Sequence, residues 1–345
     1  MYNWKWYLSE LKQDKDITVF SCFSCGGGST MGYKRAGFKV LGNVEIDPKI
    51  NSMYVKNNHP KYNFCMDLRD FNKKEDLPDE LYHLDILDGS PPCTVFSTAG
   101  QREKTWGKLK VFREGQKKQT LDDLFFVFLA TVEKLKPKIV IAENVTGLIK
   151  GNAKGYVNQI IKRFREIGYD VQLFKLNAAT MDVPQARERV FFVANNQGYP
   201  KLKLNFHGKP IKFGEVRTEH GKPINGDLTK QRLQHLTRKD TCIAHITERT
   251  EGKVSSFNTK IIHDGMVALT TTGGGTFIRA ADKSYLSDGD FRNIATFPQD
   301  YDFCGNPPQY VCGMSVPPNM MANIAMEIYK QWILKHSDAT ILGGF

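Results

Sequence analysis

Cys93 and Glu143 are the residues of this chain whose types and positions best suit chemistry. Cys93 follows a short apolar run at residues 84–88, and Glu143 lies near the end of a second run at residues 138–145. In α/β sheets, ligands bind just beyond the carboxyl ends of the strands. A cysteine there can act as a nucleophile and a carboxylic acid as a proton donor. The two residues therefore indicate covalent catalysis, although a lone cysteine is more often a small buried hydrophobic residue.

Residues 24–28, Ser-Cys-Gly-Gly-Gly, form a turn that is typical of nucleotide-type cofactor sites. The turn follows a β-branched and aromatic stretch at residues 17–23, which predicts a strand, and it precedes a helical segment. Glycines allow close backbone approach, and a helix N-terminus offers free N–H groups. Glu45 and Asp67 each follow a later predicted strand, where an acid can accept hydrogen bonds from a ribose or an adenine. Dinucleotide and S-adenosyl-L-methionine sites share this combination, so it leaves both open.

The net charge of +11 in 345 residues is concentrated in two segments. Residues 97–120 hold seven Lys and Arg against two Glu, and residues 200–275 hold thirteen Lys and Arg against seven Asp and Glu. Because these segments account for the whole excess, the charge indicates a polyanionic partner such as nucleic acid. Residues 97–120 also lack apolar periodicity and begin four residues beyond Cys93, which predicts a lid that closes over a substrate.

The order of predicted elements indicates an α/β protein. Strand and helix patterns alternate from residue 17 to about residue 195, which predicts a mostly parallel sheet. Further on the alternation stops, and Gly, Thr, Lys and five of the eight histidines predict a smaller, irregular, β-rich domain. We therefore expect one domain over residues 1–199, completed by residues 300–345, and a second domain over residues 200–299.

The composition predicts a cytoplasmic protein. No apolar run approaches the roughly 20 residues that a membrane span requires. The first fifteen residues lack the apolar core of a signal peptide. The seven cysteines, an odd number scattered along the chain, favour reduced thiols. Cys22 and Cys25 have the C-x-x-C spacing, but no second pair of ligands follows, so no metal site is predicted.

Six short motifs, in this order, resemble those of the DNA cytosine-C5 methyltransferase family, of the prokaryotic or phage type found in restriction–modification systems. The motifs are Phe23-Ser24-Cys25-Gly26-Gly27-Gly28 for the cofactor loop, Glu45 and Asp67 for ribose and adenine, Pro91-Pro92-Cys93 for the catalytic loop, Glu143-Asn144-Val145 for the catalytic acid, Gln185-x-Arg187-x-Arg189 for the arginine motif, and Gly313-Met314-Ser315-Val316-Pro317-Pro318 for the final cofactor motif. Each pattern alone is weakly specific, but their shared order over most of the chain argues against coincidence.

The resemblance implies a Rossmann-like methyltransferase domain with a mostly parallel sheet, and a smaller target recognition domain at residues 200–299. It implies DNA (cytosine-5-)-methyltransferase activity, with catalytic roles for Cys93, Glu143, Arg187 and Arg189. The residues that it implies in binding S-adenosyl-L-methionine are Phe23, Cys25, Gly26, Gly27, Gly28, Glu45, Ile46, Asp67, Leu68, Pro92, Leu124, Ser315 and Val316. Those that it implies in binding the substrate are Gln185, Ser97, Thr270, Thr271 and Thr272.

The family's chemistry explains these residue types. The Cys93 thiolate adds to C6 of a cytosine, while Glu143 protonates or hydrogen-bonds N3. Arg189 contacts O2, the methyl group passes to C5, the C5 proton is lost and Cys93 is expelled. Because a base within a duplex cannot reach such a site, the cytosine must be flipped out.

The resemblance also implies the partners. Double-stranded DNA would be bound by the basic lid and the second domain, through phosphate contacts and reading of the major groove. A cognate restriction endonuclease is left open as a functional rather than a physical partner. We expect a monomer, associated with a bacterial nucleoid.

Three positions depart from the family pattern. Cys25 stands where Gly is usual, Thr94 follows the nucleophile where Gln is usual, and Met314 stands where Asn is common. None of them removes a catalytic group, so we expect activity.

Three alternatives remain. A tRNA cytosine-5 methyltransferase would keep the chemistry, although a recognition segment of about a hundred residues suits duplex reading. A nicotinamide dehydrogenase shares the glycine turn but gives no reason for the Pro-Pro-Cys motif or the basic lid. A catalytically silent DNA-binding protein gives no reason for an intact Cys93, Glu143 and Arg189.

Overall fold

The computed structural model describes residues 1–92, 123–150, 154–254, 259–269 and 276–336. The strands in these residues are β1 Thr18–Cys22, β2 Lys39–Val44, β3 Tyr62–Phe64, β4 Ile86–Gly89, β5 Ile139–Val145, β6 Asp170–Asn177, β7 Gln185–Ala186, β8 Glu188–Asn195, β9 Lys260–Ile262, β10 Ala268–Leu269, β11 Phe277–Arg279 and β12 Ser284–Tyr285. The α-helices are α1 Gly28–Arg35, α2 Pro48–Asn58, α3 Leu68–Lys73, α4 Leu124–Leu135, α5 Lys154–Glu166, α6 Asp227–Gln234, α7 Ile243–Glu251, α8 Asp288–Ile294, α9 Pro308–Met314 and α10 Pro318–Ile328.

The chain divides into two compact units. The sheet unit comprises Leu11–Asn177, Glu188–Asn205 and Met321–Phe345, and the mixed unit comprises Met1–Glu10, Ala178–Arg187 and Phe206–Met320. The units therefore divide the chain at other points than the predicted domains, since the first ten residues and most of the arginine motif belong to the mixed unit. The assignment of catalysis and target recognition to separate domains stays a prediction.

The sheet unit is built on a seven-stranded sheet in the order β3-β2-β1-β4-β5-β8-β6. The pairings from β3 to β5 are parallel, and β8 pairs antiparallel with both β5 and β6. The predicted α/β fold with a mostly parallel sheet is thus confirmed. The carboxyl ends of β1, β2, β4 and β5 share one edge of the sheet, and the glycine turn, Glu45 and Glu143 lie at this edge.

The central strands form because their apolar residues are buried on both faces. Residues 139–142 of β5, Ile-Val-Ile-Ala, are all buried, as expected for a parallel strand covered on each side. Helix α4 packs Phe125, Phe128 and Val132 into the same core, and the rings of Phe125 and Phe192 meet edge to face at 5.0 Å. Close packing of this core keeps the ends of the strands rigid, and these ends carry the polar groups of the candidate site.

The mixed unit contains short strands and helices. A parallel pair joins β7 and β10, and a three-stranded sheet has the order β12-β11-β9. The prediction of a β-rich domain at residues 200–299 was wrong, because α6, α7 and α8 contain more of the described residues there than β9 to β12 do. The Thr- and His-containing stretch that suggested strand includes α7, whose Ile243 and Ile246 are buried on one face at helical spacing.

The described helices have no membrane-spanning candidate. None of them combines the length and the apolar character that crossing a lipid bilayer would require.

Candidate active site

The glycine turn between β1 and α1 and the residue before it have left-handed backbone at several positions. Gly27 has a φ of +79°, and a Cβ there would lie 2.4 Å from the Asn58 side chain. Phe23 and Cys25 also have positive φ, 54° and 46°. Left-handed backbone costs a non-glycine residue about 1–2 kcal/mol. Strain of this kind collects at ligand sites when the surrounding structure holds it in place.

Glu45 is bonded to this turn from the end of β2. Its Oε2 accepts a hydrogen bond from the Cys25 N–H at 2.9 Å, and its Oε1 accepts one from the Asp47 N–H at 3.0 Å. Burial raises the pKa of the Glu45 carboxyl, while these backbone N–H groups act in the opposite direction. The structure therefore brings together the two predicted cofactor elements, the turn and Glu45, with the half-buried Ile46 beside them.

Asp67 has a local structural role that the sequence analysis missed. It is the N-cap of α3, where its Oδ1 accepts from the Arg69 N–H at 2.8 Å. The Arg69 guanidinium lies 3.2 Å from Asp67 and 2.7 Å from Asp123, the residue before α4. Arg69 thereby joins the starts of α3 and α4, where the buried Leu68 and Leu124 lie.

The loops after β4 and β5 are held together by Asn144. Its Nδ2 donates to the Pro91 carbonyl at 3.1 Å. Pro91 stands two residues before Cys93, so the acid motif supports the backbone that leads to the proposed nucleophile. Pro92 is half-buried and is the last residue described before Cys93. Asn144 was not predicted as a site residue, although it stands beside Glu143 in the motif.

Glu143 forms an ion pair with Arg189. The Arg189 Nε lies 2.9 Å from Glu143 Oε1, with the two side chains only 13% and 10% exposed. The antiparallel register sets this contact, since Arg189 on β8 lies opposite Val145 on β5, two residues beyond Glu143. Glu143 Oε1 meets the cation without an aligned hydrogen bond. The structure thus pairs two residues that are 46 positions apart in sequence and that were both predicted to be catalytic.

Arg187 and Gln185 lie in the mixed unit with the final cofactor motif. Arg187 is almost fully buried, and its Nη1 donates to the Gly313 carbonyl at 3.0 Å. Ser315 and Val316, which follow, are both buried, and the Ser315 Oγ has no hydrogen-bond partner among the described residues. The arginine motif and the cofactor motif are therefore in direct contact within this unit.

Gln185 pairs with the segment that was predicted to contact DNA. It is buried, and its strand β7 runs parallel to β10, with Gln185 opposite Ala268. Thr270, Thr271 and Thr272 follow β10 directly but lie outside the described residues. Cys93, Ser97, Thr94 and the predicted lid also lie outside them.

Asp88 is a buried acid that the sequence analysis did not single out. It lies on β4 with 1% exposure and accepts hydrogen bonds from Ser21 Oγ at 2.9 Å and Tyr33 OH at 3.1 Å. Burial raises the pKa of its carboxyl to about 7, against the opposing effect of these hydroxyls. The available signal was an acid inside an otherwise apolar strand, five residues before Cys93.

Comparison with known proteins identifies the family. The sequence profile of the C-5 cytosine-specific DNA methylases matches residues 17–330. The chain belongs to this family. Its curated relatives include type II methyltransferases.

Two curated relatives illustrate the similarity. The type II methyltransferase M.FnuDI of Fusobacterium nucleatum is 32% identical over 245 residues, which are 70% of this chain and 65% of that protein. The type II methyltransferase M1.HphI of Haemophilus parahaemolyticus is 31% identical over 96% of this chain and 91% of its own length. The match to M.FnuDI, like that to M.NgoPII of Neisseria gonorrhoeae at 51%, spans less than two thirds of the relative.

Solved structures share the fold. A DNA modification methyltransferase encoded within an E. coli prophage superposes with a TM-score of 0.65 at 19% identity, covering 92% of this chain and 99% of that one. Spodoptera frugiperda DNMT2 superposes with a TM-score of 0.62 at 15% identity, covering 91% and 100%. At these identities the likeness concerns the fold.

Proposed function

We propose that this protein transfers a methyl group from S-adenosyl-L-methionine to C5 of a cytosine that is flipped out of a specific duplex DNA sequence. The observation that carries the proposal is the pairing of Glu143 with Arg189 beside Asn144, which bonds the backbone of the Pro-Pro-Cys loop. An acid, a cation and a nucleophile loop that share one sheet edge suit attack on a heteroaromatic base. Membership in the C-5 cytosine-specific DNA methylase family supports the same chemistry.

The residues of the sheet unit fit an adenosine-type cofactor. The glycine turn leaves no space for a Cβ at Gly27, and the N-terminus of α1 follows it. Glu45 at the end of β2 offers a carboxylate to ribose hydroxyls. S-adenosyl-L-methionine would supply an electrophilic methyl group to the acceptor carbon.

In the proposed reaction the protein's own groups prepare the acceptor base. The Cys93 thiolate forms a bond to C6, and Glu143 donates a proton or a hydrogen bond to N3, so that electron density moves to C5. Arg189 holds Glu143 in place and contacts the cytosine O2. After methylation, loss of the C5 proton releases the electron pair that expels the Cys93 thiolate.

The DNA would be bound by the predicted lid and by the mixed unit, which we propose as the target recognition domain. The excess of Lys and Arg in the lid and in residues 200–275 would offset the few kcal/mol that flipping a base costs, through phosphate contacts. We further propose that the protein acts as a cytoplasmic monomer, with a cognate restriction endonuclease as its functional partner.

The proposal is tested by transfer of labelled methyl from S-adenosyl-L-methionine to plasmid DNA and to bulk tRNA. Wild type is compared with Cys93→Ala and with Cys304→Ala, a control that removes an exposed thiol of the mixed unit. We expect label in DNA for wild type and Cys304→Ala, none for Cys93→Ala, and one recurring short motif on bisulfite sequencing. Label in tRNA alone would overturn the substrate, and no label in either would overturn the activity.

A further inference from the structure

The first ten residues of the chain are bonded into the mixed unit at several points. The Tyr2 N–H donates to Asp182 Oδ2 at 2.8 Å, and the Trp6 indole N–H donates to the Thr296 carbonyl at 2.8 Å. The Gln299 N–H donates to the Trp6 carbonyl at 2.8 Å. This segment is therefore an integral part of the unit.

Asn319 is the residue on which these connections converge. It is fully buried, and its Nδ2 lies 2.8 Å from the Asp182 carbonyl, 3.3 Å from the Asn3 carbonyl and 3.4 Å from the Tyr2 carbonyl. Its own N–H donates to Thr296 Oγ1 at 3.3 Å. A buried amide shared among three backbone carbonyls fixes three stretches of chain against one another.

The hydrogen bonds of Asn319 connect the chain next to the arginine motif with the chain next to the final cofactor motif. Asp182, at a left-handed φ of 57°, stands three residues before Gln185, and Asn319 stands three residues after Val316. The bond from Arg187 to the Gly313 carbonyl joins the same two motifs at their other ends. The arginine motif and the cofactor motif are thus tied twice, once by Arg187 and once by Asn319.

We propose that Asn319 is a positioning residue for the methyl transfer, acting through Asp182 and the N-terminal segment to hold the arginine motif and the cofactor motif in a single arrangement. The proposed role is indirect, through the bonds of Asn319 to the Asp182, Asn3 and Tyr2 carbonyls. The inference rests on the proposed function, because the network is proposed to affect the binding of S-adenosyl-L-methionine and of the target base.

The test compares Asn319→Ala and Trp6→Phe with Asn293→Ala. Asn293 is a matched control, since it is also a buried asparagine of the mixed unit. Its Nδ2 donates to the Val216 carbonyl at 2.7 Å and its Oδ1 accepts from Gln299 Nε2 at 3.1 Å, so these two hydrogen bonds reach the N-terminal segment only through Gln299 and neither motif directly. Rates are normalised to the folded fraction of each variant. We expect Asn319→Ala to raise the KM for S-adenosyl-L-methionine and to lower kcat/KM by about ten- to a hundredfold, since small misplacements of reacting groups have effects of this size. Trp6→Phe should shift both in the same direction to a smaller degree, and Asn293→Ala, which reaches the N-terminal segment only through Gln299, should have the smallest effect.

Amide hydrogen exchange over residues 183–187 and 313–316 provides a readout without catalysis. We expect faster exchange in both segments for Asn319→Ala and wild-type exchange for Asn293→Ala. Equal kinetic effects of Asn319→Ala and Asn293→Ala, or unchanged exchange in Asn319→Ala, would overturn the positioning role. If wild type transfers no methyl group, the proposed function fails, and the exchange comparison still decides whether Asn319 orders the two motifs.

Discussion

The sheet unit and the mixed unit place their buried charges differently. In the sheet unit, the core strands are apolar, and the buried acids Asp88 and Glu143 lie toward one edge of the sheet. In the mixed unit, the fully buried Arg279 lies in the middle of the three-stranded sheet's core, paired with the equally buried Asp290 at 3.3 Å and with Asp282 at 3.1 Å.

The difference follows from strand length. Five of the seven strands in the sheet unit have five to eight residues and bury more apolar surface than the strands of two or three residues in the mixed unit. In the mixed unit the Arg279 guanidinium connects strand β11, the segment at Thr218 and helix α8 through hydrogen bonds and ion pairs. The buried pair of Arg279 and Asp290 thus serves the architecture of the mixed unit, whereas we propose that Glu143 in the sheet unit serves the reaction.

The largest effect that tests this contrast is on activity. Glu143→Gln keeps the shape of the side chain but removes the proton that N3 of the base requires, so the methyl-transfer rate should fall by roughly 10²–10⁴-fold. The matched control is Glu188→Gln, on the same β8 strand as Arg189, whose carboxylate pairs with Lys175 on an exposed surface. Single-turnover methylation at saturating cofactor measures both variants. Equal loss in the two would mean that Glu143 acts on the fold rather than on the reaction.

The next effect is on the stability of the mixed unit. Arg279→Met removes one partner of a buried ion pair and leaves the Asp290 carboxylate buried without its cation, which should lower the free energy of unfolding by about 3–5 kcal/mol. Lys222→Met serves as the control, because it breaks an exposed pair with Asp288 and should cost less than about 1 kcal/mol. Urea unfolding, followed by circular dichroism, compares them. A loss under 1 kcal/mol for Arg279→Met would contradict the architectural role.

Much of the sheet unit could be predicted from sequence, because its strands are long apolar runs and its polar residues directly follow or end them. The strand that was predicted before Glu45 is β2, and the glycine turn follows β1 as predicted. The ion pair between Glu143 and Arg189 could not be predicted, since it depends on the antiparallel register of β5 and β8. The hydrogen-bond network around Asn319 likewise depends on residues that are far apart in the chain.

The mixed unit was predicted less well for a physical reason. Its helices are short, and α8 begins at a local cap formed by Ser287 and Asp290 rather than at the start of a long apolar periodicity. Its core depends on Arg279, a residue type that sequence patterns assign to the surface. Neither feature can be recognised without the tertiary contacts.

A pH-dependent effect in the sheet unit comes from Asp88. Burial raises the pKa of its carboxyl to about 7, whereas in the unfolded chain the pKa is about 3.9. Between these values the folded protein retains a proton that the unfolded chain has lost, so this group lowers the stability as the pH rises from about 4 to 7. Above pH 7 both states are ionised and the loss is complete.

Asp88→Asn removes this dependence. The difference in unfolding free energy between the variant and wild type should therefore shift in the variant's favour by up to about 1.4 kcal/mol per pH unit over that window, and then level off. Thermal or urea unfolding at half-unit pH steps measures it. If the difference in unfolding free energy stays constant from pH 4 to 8, Asp88 is ionised in the folded protein. It would then resemble the buried Asp290 carboxylate of the mixed unit, which is paired with Arg279.

The smallest expected effect concerns Cys25, where the sheet unit departs from its family's pattern. At a φ of 46° the cysteine sits in left-handed backbone, and a glycine would relieve about 1–2 kcal/mol of strain. Glycine also makes the unfolded chain more flexible, which costs about 0.5–1 kcal/mol, so Cys25→Gly should raise the stability by at most about 1.5 kcal/mol. The hydrogen bond from the residue 25 N–H to Glu45 is made by the backbone of residue 25 and should persist, so the affinity for S-adenosyl-L-methionine should stay within about twofold.

Isothermal titration measures this affinity and urea unfolding measures the stability. Gly27→Ala, which places a Cβ against Asn58, is the opposite case and should weaken both. A large gain in affinity for Cys25→Gly would instead mean that the Cys25 side chain hinders cofactor binding. Glycine, which is usual in the family at this position, would then bind the cofactor more tightly than cysteine does.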